Sequence, residues 1–393
     1  MRLATPACLV ALVVVMSLGV GLSGQQAPTP AAASDGLDAA IGRLGDLDYA
    51  TRTAAARAVR RAPPAEAVLT LLRAVREHAD GYVRYRALVL LTGFADPRTR
   101  DAMTEAIASP NDRLRTVGYS FFEHQPDPSM IPSFLAALET ERAEFVRPQL
   151  VRALAALGSD PRVRAALVRE EGRGEDFFRS AVIEALGDYH ASWAYDAVNA
   201  TAKLDGPLQD DAALALGRLG DRRALETLAG LLRTAPKSVQ PAVVTAICLL
   251  DVSCAEHEAF LVETLTYADR NPGYQPLLRG AAAGLSALAQ AGRGSALDAL
   301  LRVGVPSVDP TRAPVALALG TVALRRTPMM LEALGRATDR DGAIDLLREG
   351  FDMLEEDLDK ERFFAAVRRA YWQAGEGTPA RALAEALIQK LDF

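Results

Sequence analysis

Five arginines stand at near-constant intervals down the first half of this chain: Arg52, Arg84, Arg115, Arg147 and Arg179, separated by 32, 31, 32 and 32 residues. A beat of thirty-odd residues is what a stack of supersecondary units leaves in a sequence, each unit too small to bury its own apolar face. Three, six and seven places after each arginine the residue is apolar or small. The sets are Ala55, Ala58 and Val59; Ala87, Leu90 and Leu91; Gly118, Phe121 and Phe122; Leu150, Ala153 and Leu154; Val182, Ala185 and Leu186. Such spacing makes a one-sided stripe on a helix. The stripe outlasts the arginine: Asp210 leads Ala213, Leu216 and Gly217, Gln240 leads Val243, Ala246 and Ile247, and Gln275 leads Leu278, Ala281 and Ala282.

A second helix precedes each of these. It is preceded or opened by Pro64, Pro97, Pro128, Pro161 or Asp221, and proline suits the first helical turn because its missing N–H would go unbonded there. Stretches such as PAEAVLTLLRAVREH and DRRALETLAGLLRT carry Leu or Val at three-four spacing, and short turns with Gly or Asp divide them. Sustained strand alternation is missing throughout. Abundant Ala and Leu favour helices further.

The run Asp80-Gly-Tyr-Val-Arg84-Tyr-Arg-Ala87, followed by a Leu-rich helix, resembles the HEAT-repeat family, and the shorter beat of about 31 resembles its bacterial HEAT-like branch. The resemblance covers residues 37 to 290 well and 291 to 393 loosely. It implies an all-α, right-handed superhelix of roughly ten helical hairpins, with second helices lining the concave side. The domain reading that follows is a signal peptide over 1–23, a flexible leader over 24–35, a repeat array over 36–305, and divergent repeats with a helical cap over 306–393. Within that end, residues 341 to 359 read as one acidic amphipathic helix, and Asp341 as its cap rather than as part of a calcium loop.

The N-terminus begins Met1-Arg2, continues into an apolar run over residues 7 to 22, and reaches small residues at Gly21-Leu22-Ser23. This is the pattern of a cleaved secretory signal, and the run is short for a membrane span. Of 44 basic residues only Lys203, Lys237, Lys360 and Lys390 are lysine, a bias that suggests a GC-rich bacterial genome. The expected address is therefore periplasmic or secreted, with cleavage near Ser23. A net charge of −6 disfavours a nucleic-acid groove, which would need a basic stripe to neutralise phosphates. Cys248 and Cys254 would remain in the mature chain. They are placed either to bond in an oxidising compartment or to pack as two small buried hydrophobes.

Catalytic motifs fail one by one. His257-Glu258 opens like a zinc-protease helix, but Leu261 stands where the second histidine belongs. Gly284-Leu-Ser286-Ala-Leu288 lacks the closing glycine of a nucleophile elbow. With no catalytic, cofactor or metal set, the expected role is an exported, non-enzymatic scaffold that binds a protein or peptide along its concave face. Two other readings resemble HEAT-like lyases acting on a bound pigment and HEAT-like DNA glycosylases, the latter opposed by charge and leader. Helical phase places Arg57, Tyr85, Tyr119, Glu123, Arg152, Glu184, Asp188, Asp211 and Arg218 on or beside the polar inner face. The repeating set Asp48, Arg52, Asp80, Arg84, Asn111, Arg115, Arg147, Glu175 and Arg179 reads instead as a charge ladder fixing one unit against the next.

Overall fold

A computed structural model describes residues 30–250, 254–271 and 273–393, with side chains from residue 36 onward. Among them it contains twenty-two α-helices and no strand. They form eleven consecutive pairs. The first four are α1 (Pro30–Gly42) with α2 (Tyr49–Arg61), α3 (Pro64–Glu77) with α4 (Gly81–Thr92), α5 (Thr99–Ala106) with α6 (Asp112–His124), and α7 (Ile131–Thr140) with α8 (Arg147–Ala155). Next come α9 (Pro161–Glu171) with α10 (Asp176–Asp188), α11 (Tyr195–Ala202) with α12 (Gln209–Leu219), and α13 (Ala224–Thr234) with α14 (Gln240–Leu250). The last are α15 (Ala255–Arg270) with α16 (Gln275–Gln290), α17 (Gly294–Gly304) with α18 (Arg312–Arg325), α19 (Thr327–Arg336) with α20 (Arg340–Met353), and α21 (Asp357–Gln373) with α22 (Pro379–Lys390).

The apolar stripe is buried at every position named above except Ala58, which is exposed, and Ile247, which is half-buried. Two continuous cores result, one running from Leu37 to Leu250 and one from Val244 to Phe393, with α14 as the shared wall. The even-numbered helices pack each against the next in an inner row, from α4 to α20. Small residues let them approach. A Cβ on Gly217 would run into the backbone of Ala246, and one on Gly350 into the carbonyl of Ala316. Packing the inner row more closely than the outer one bends the stack, so the even-numbered helices line its concave side.

Several sequence expectations change in detail. The leader ends earlier than residue 35, because α1 already begins at Pro30; the signal reading over 1–23 lies outside the described residues. The helix-start residues fall as read: Pro64 and Pro161 open α3 and α9, while Pro97, Pro128 and Asp221 precede α5, α7 and α13. The acidic helix expected over 341–359 breaks at Leu354–Glu356, separating α20 from α21. Its cap is Asp339, not Asp341: the Asp339 carboxylate accepts from the Gly342 N–H at 2.9 Å. The repeat also persists further than read. Arg312 and Arg340 open α18 and α20, and the third, sixth and seventh residues after them (Val315, Ala318 and Leu319; Ala343, Leu346 and Leu347) are buried.

The largest departure is at the end of the chain. α21 and α22 do not simply cap the stack. α21 turns inward and lies across the concave side, touching α4 and α6 near the start of the array and α18 near its end. Leu358 of α21 joins the N-terminal core, while Phe363 and Val367 join the C-terminal one.

Candidate functional site

The expected ladder acts mostly within each hairpin, and the charged pairs that link successive units lie on the expected inner face. The acid or amide four places before Arg52, Arg84, Arg115 and Arg179 is a helix N-cap residue: Asp48 accepts from the Thr51 N–H at 2.7 Å, Asp80 from Tyr82 at 2.8 Å and Asn111 from Arg113 at 3.0 Å, whereas Glu175 makes no such bond. Caps of this kind satisfy N–H groups that the helix leaves open. The arginines do not bridge to those caps. Arg52 donates to the carbonyls of Asp46 and Leu47, Arg84 to that of Val75 at 2.8 Å, Arg115 to that of Ser109 at 2.9 Å and Arg179 to that of Glu171 at 2.8 Å. Each therefore staples the second helix of its hairpin to the chain arriving from the first. Links to the next unit are made only here and there. Arg115 pairs with Glu141, the Asn111 amide donates to the Gly81 carbonyl, and Arg147 lies 3.4 Å over the Phe178 ring.

The ladder between units runs instead along the concave face. Arg152 Nε donates to Glu123 at 2.8 Å, Arg152 Nη1 to Asp188 at 2.8 Å, and Arg218 Nη1 to Asp188 at 2.7 Å. Four successive inner helices, α6, α8, α10 and α12, are thus joined by one chain of alternating charge. The Tyr189 hydroxyl also donates to Glu123, at 2.9 Å. Burial opposes the charge on Asp188, yet Arg218 and Arg152 hold its carboxyl below the usual range. Glu184 is open to water on the same face. Enclosure by the surrounding helices, then the charges of Asp211 and Asp188, push its carboxyl up to about 7. Asp211 accepts from the Ser180 hydroxyl at 2.6 Å. Tyr119 is not part of this face at all. It is buried edge-on to Phe134, with ring centroids 5.4 Å apart, because its phase at the edge of the stripe turns it into the hairpin.

α21 closes the near end of the groove. Its first turns carry acids at 357, 359 and 361, and each meets a basic side chain on an inner helix. Arg86 pairs with Asp357 at 2.7 Å, and the Tyr85 hydroxyl donates to the same carboxylate. Arg60 pairs with Glu361 at 2.7 Å, with side-chain exposures of only 7% and 1%. His124 Nε2 lies 2.7 Å from Asp359 Oδ1. Burial works against ionised Asp359, but His124, Arg325 and Arg362 hold its carboxyl down to about 2. Burial, followed by the charge of Asp357, raises the Tyr85 hydroxyl well above the ordinary phenol range. Further out, Arg57 pairs with Asp392 at 2.6 Å. Across the groove, Arg325 of α18 reaches to 3.2 Å from Glu356 and 3.8 Å from Glu123.

A cavity of about 600 Å³ remains open between α21 and the middle of the inner row. Arg152, Asp188, His190, Arg218, Arg325 and Arg326 are among its lining residues. Cys248 and Cys254 are bonded to each other, with Cα atoms 4.8 Å apart, and both are buried away from this cavity. Among the described residues no group of His, Cys, Asp and Glu is arranged to hold a metal, and no helix is long and apolar enough to cross a membrane.

Sequence phase reached Tyr85, Glu123, Arg152, Asp188 and Arg218 but passed over Arg60, Arg86, His124 and the three acids of α21. Arg60 had a usable signal: it stands eight places after Arg52, the same step that takes Arg115 to Glu123 and Asp210 to Arg218. The acids at alternate positions 357, 359 and 361 were visible as a cluster, but nothing local to them names a partner some 300 residues away (|i−j| = 301 for Arg60 and Glu361).

The family described as HEAT repeats matches residues 9–120. Among curated proteins no sequence matches. Solved structures similar to this chain include Kap121p bound to Nup53p, 13% identical over 92% of this chain and 46% of that one, with a TM-score of 0.42. Yeast importin-beta (Kap95p) is 11% identical over 90% of this chain and 57% of that one, at 0.39. The CpcE–CpcF complex of phycocyanin lyase from Nostoc sp. PCC7120 is 17% identical over 87% of this chain and 100% of that one, at 0.28. The chain spans about half the length of the Kap121p chain it matches. The described residues form a helical solenoid, and the HEAT-repeat resemblance first carried by Asp80–Ala87 is matched by the family model over residues 9–120.

Proposed function

We propose that the protein is an exported, non-enzymatic scaffold that holds a segment of another protein along the concave side of its solenoid. A signal-like leader supports the exported address, periplasmic or secreted in a bacterium, and the failed motifs support a role without catalysis. One observation carries the binding role: the groove already accepts a helix, laid across the second helices and anchored by charged and aromatic side chains. Surfaces that dock protein segments commonly rely on such Arg and Tyr anchors. Alternating charge along Glu123, Arg152, Asp188 and Arg218 suits a peptide carrying both signs better than a uniform polyanion.

A photo-crosslinking residue placed at Glu184, exposed on the groove floor, tests this. The expected result is one discrete cross-linked protein whose contact peptide is recovered from the groove position, and not from a control at Leu69 on the outer helix α3. Equal recovery at both positions, or none at either, contradicts the proposal. Amino-terminal sequencing of the same material should place the mature start near residue 24; an intact Met1 start contradicts cleavage.

A further inference from the structure

Deepening that reading, and resting on it, we infer that α21 stands in for the partner: the inner face of α2, α4 and α6 is a receptor for an acidic amphipathic helix, which α21 occupies until such a helix displaces it.

Charge complementarity names the occupant. Remove α21 and two guanidinium groups and an imidazole on neighbouring inner helices lose their acids: Arg60, Arg86 and His124. Arg60 meets Glu361, Arg86 meets Asp357 and His124 meets Asp359. Buried cations without partners are costly, so the strip selects something that returns carboxylates to the same places. Asp357 and Glu361 lie one helical turn apart on one face of α21, toward α4 and α2, and Asp359 lies on the opposite face, toward α6. A helix with acids at the first, third and fifth positions reproduces all three contacts. The hydroxyl of Tyr85 adds a donor for the first of them.

The seat is also built for exchange. A single apolar side chain of α21, Leu358, enters the N-terminal core; Phe363 and Val367 belong to the C-terminal one. Clefts of about 250 and 670 Å³ lie along the seam, the first lined by Tyr49, Arg86 and Phe364 and the second by Arg61, Phe94 and Trp372. Trp372 itself is 76% exposed. Swapping one set of carboxylates for another leaves the ion-pair count unchanged, so the equilibrium turns on the tether. A tethered helix competes at an effective concentration in the millimolar range, which lowers apparent affinity for an incoming helix by the fraction of molecules that are open.

The test uses the full chain and a fluorescent synthetic peptide of residues 357–373, the 17 residues of α21. The variant Asp357→Asn with Asp359→Asn weakens the resident helix while leaving Glu361 on buried Arg60. Its Kd for the peptide should fall at least ~10-fold below that of the unaltered chain, as opening the receptor removes the competitor. A scrambled peptide of equal composition should not bind. If the folded variant gains no affinity, or if the scrambled peptide or a single-stranded oligonucleotide binds as well, the inference is overturned. Hydrogen exchange on the unaltered chain covers the case of a variant that does not fold. α21 and α22 should exchange before α18 and α20; equal protection would mean that the seat does not open. Failure here with a groove cross-link retained at Glu184 would leave the scaffold reading standing.

Discussion

Glu361 has two guanidinium partners, Arg60 at 2.7 Å and Arg368 at 3.2 Å, in a site where its side chain is 1% exposed. Removing one member of a buried charge pair leaves the others unpaired at a cost of about 3–5 kcal/mol. Glu361→Gln should therefore lower the unfolding free energy by about that amount in urea titration; a change under about 1 kcal/mol would mean the seam is wetter than described. Two carboxyls have pH signatures of opposite sign. Asp359, held from 3.8 down to about 2, contributes stability that is present above the unfolded value and is lost as pH falls through that window. Asp359→Asn should remove this slope from the Tm against pH curve. Glu184, raised from 4.5 to about 7, binds more protons folded than unfolded, so stability falls as pH rises from 4.5 to 7. Glu184→Gln should flatten that fall, by a small amount because its side chain meets water in the groove. A steeper fall in the variant would refute the assignment. At this scale the sequence showed which positions face inward but not what they do there. The phase that located Arg152 and Asp188 says nothing of whether their partner is another repeat or a visitor.

At the scale of the helix, close approach decides the curve of the stack. Gly217 faces the backbone of Ala246 with no room for a methyl group. Gly217→Ala should cost about 1–3 kcal/mol by overpacking, read from urea midpoints; a neutral result would show that α12 and α14 can slide apart freely. Stripe and beat made these elements legible, since helical periodicity is a local property. The arginine that keeps the beat was legible too, though not its role. Arg84 and Arg179 reach backbone carbonyls eight or nine residues earlier, and a carbonyl leaves no mark in a sequence, whereas the acid four places upstream does and misdirects. Irregular spacing hid the later markers: Arg312 comes 37 residues after Gln275, and Arg340 only 28 after Arg312.

For the whole molecule, the departure that matters is closure. A solenoid read from its repeats is an open rod, because each unit is known only through its neighbours. α21 breaks that rule by joining the second, third and ninth pairs, and no local pattern announces a contact between Arg60 and Glu361. Its consequence is that the concave side is in part already filled, so any partner must use the open cavity beside α21 or take the helix's place. Distance measurement by pulsed electron spin resonance tests closure most directly, with spin labels at Arg57→Cys and Asp392→Cys. These positions form a half-exposed ion pair, so labelling them removes only about 0–1 kcal/mol. A closed molecule predicts one narrow distribution at the short end of the measurable range. A long or broad distribution in the unliganded protein would contradict the account.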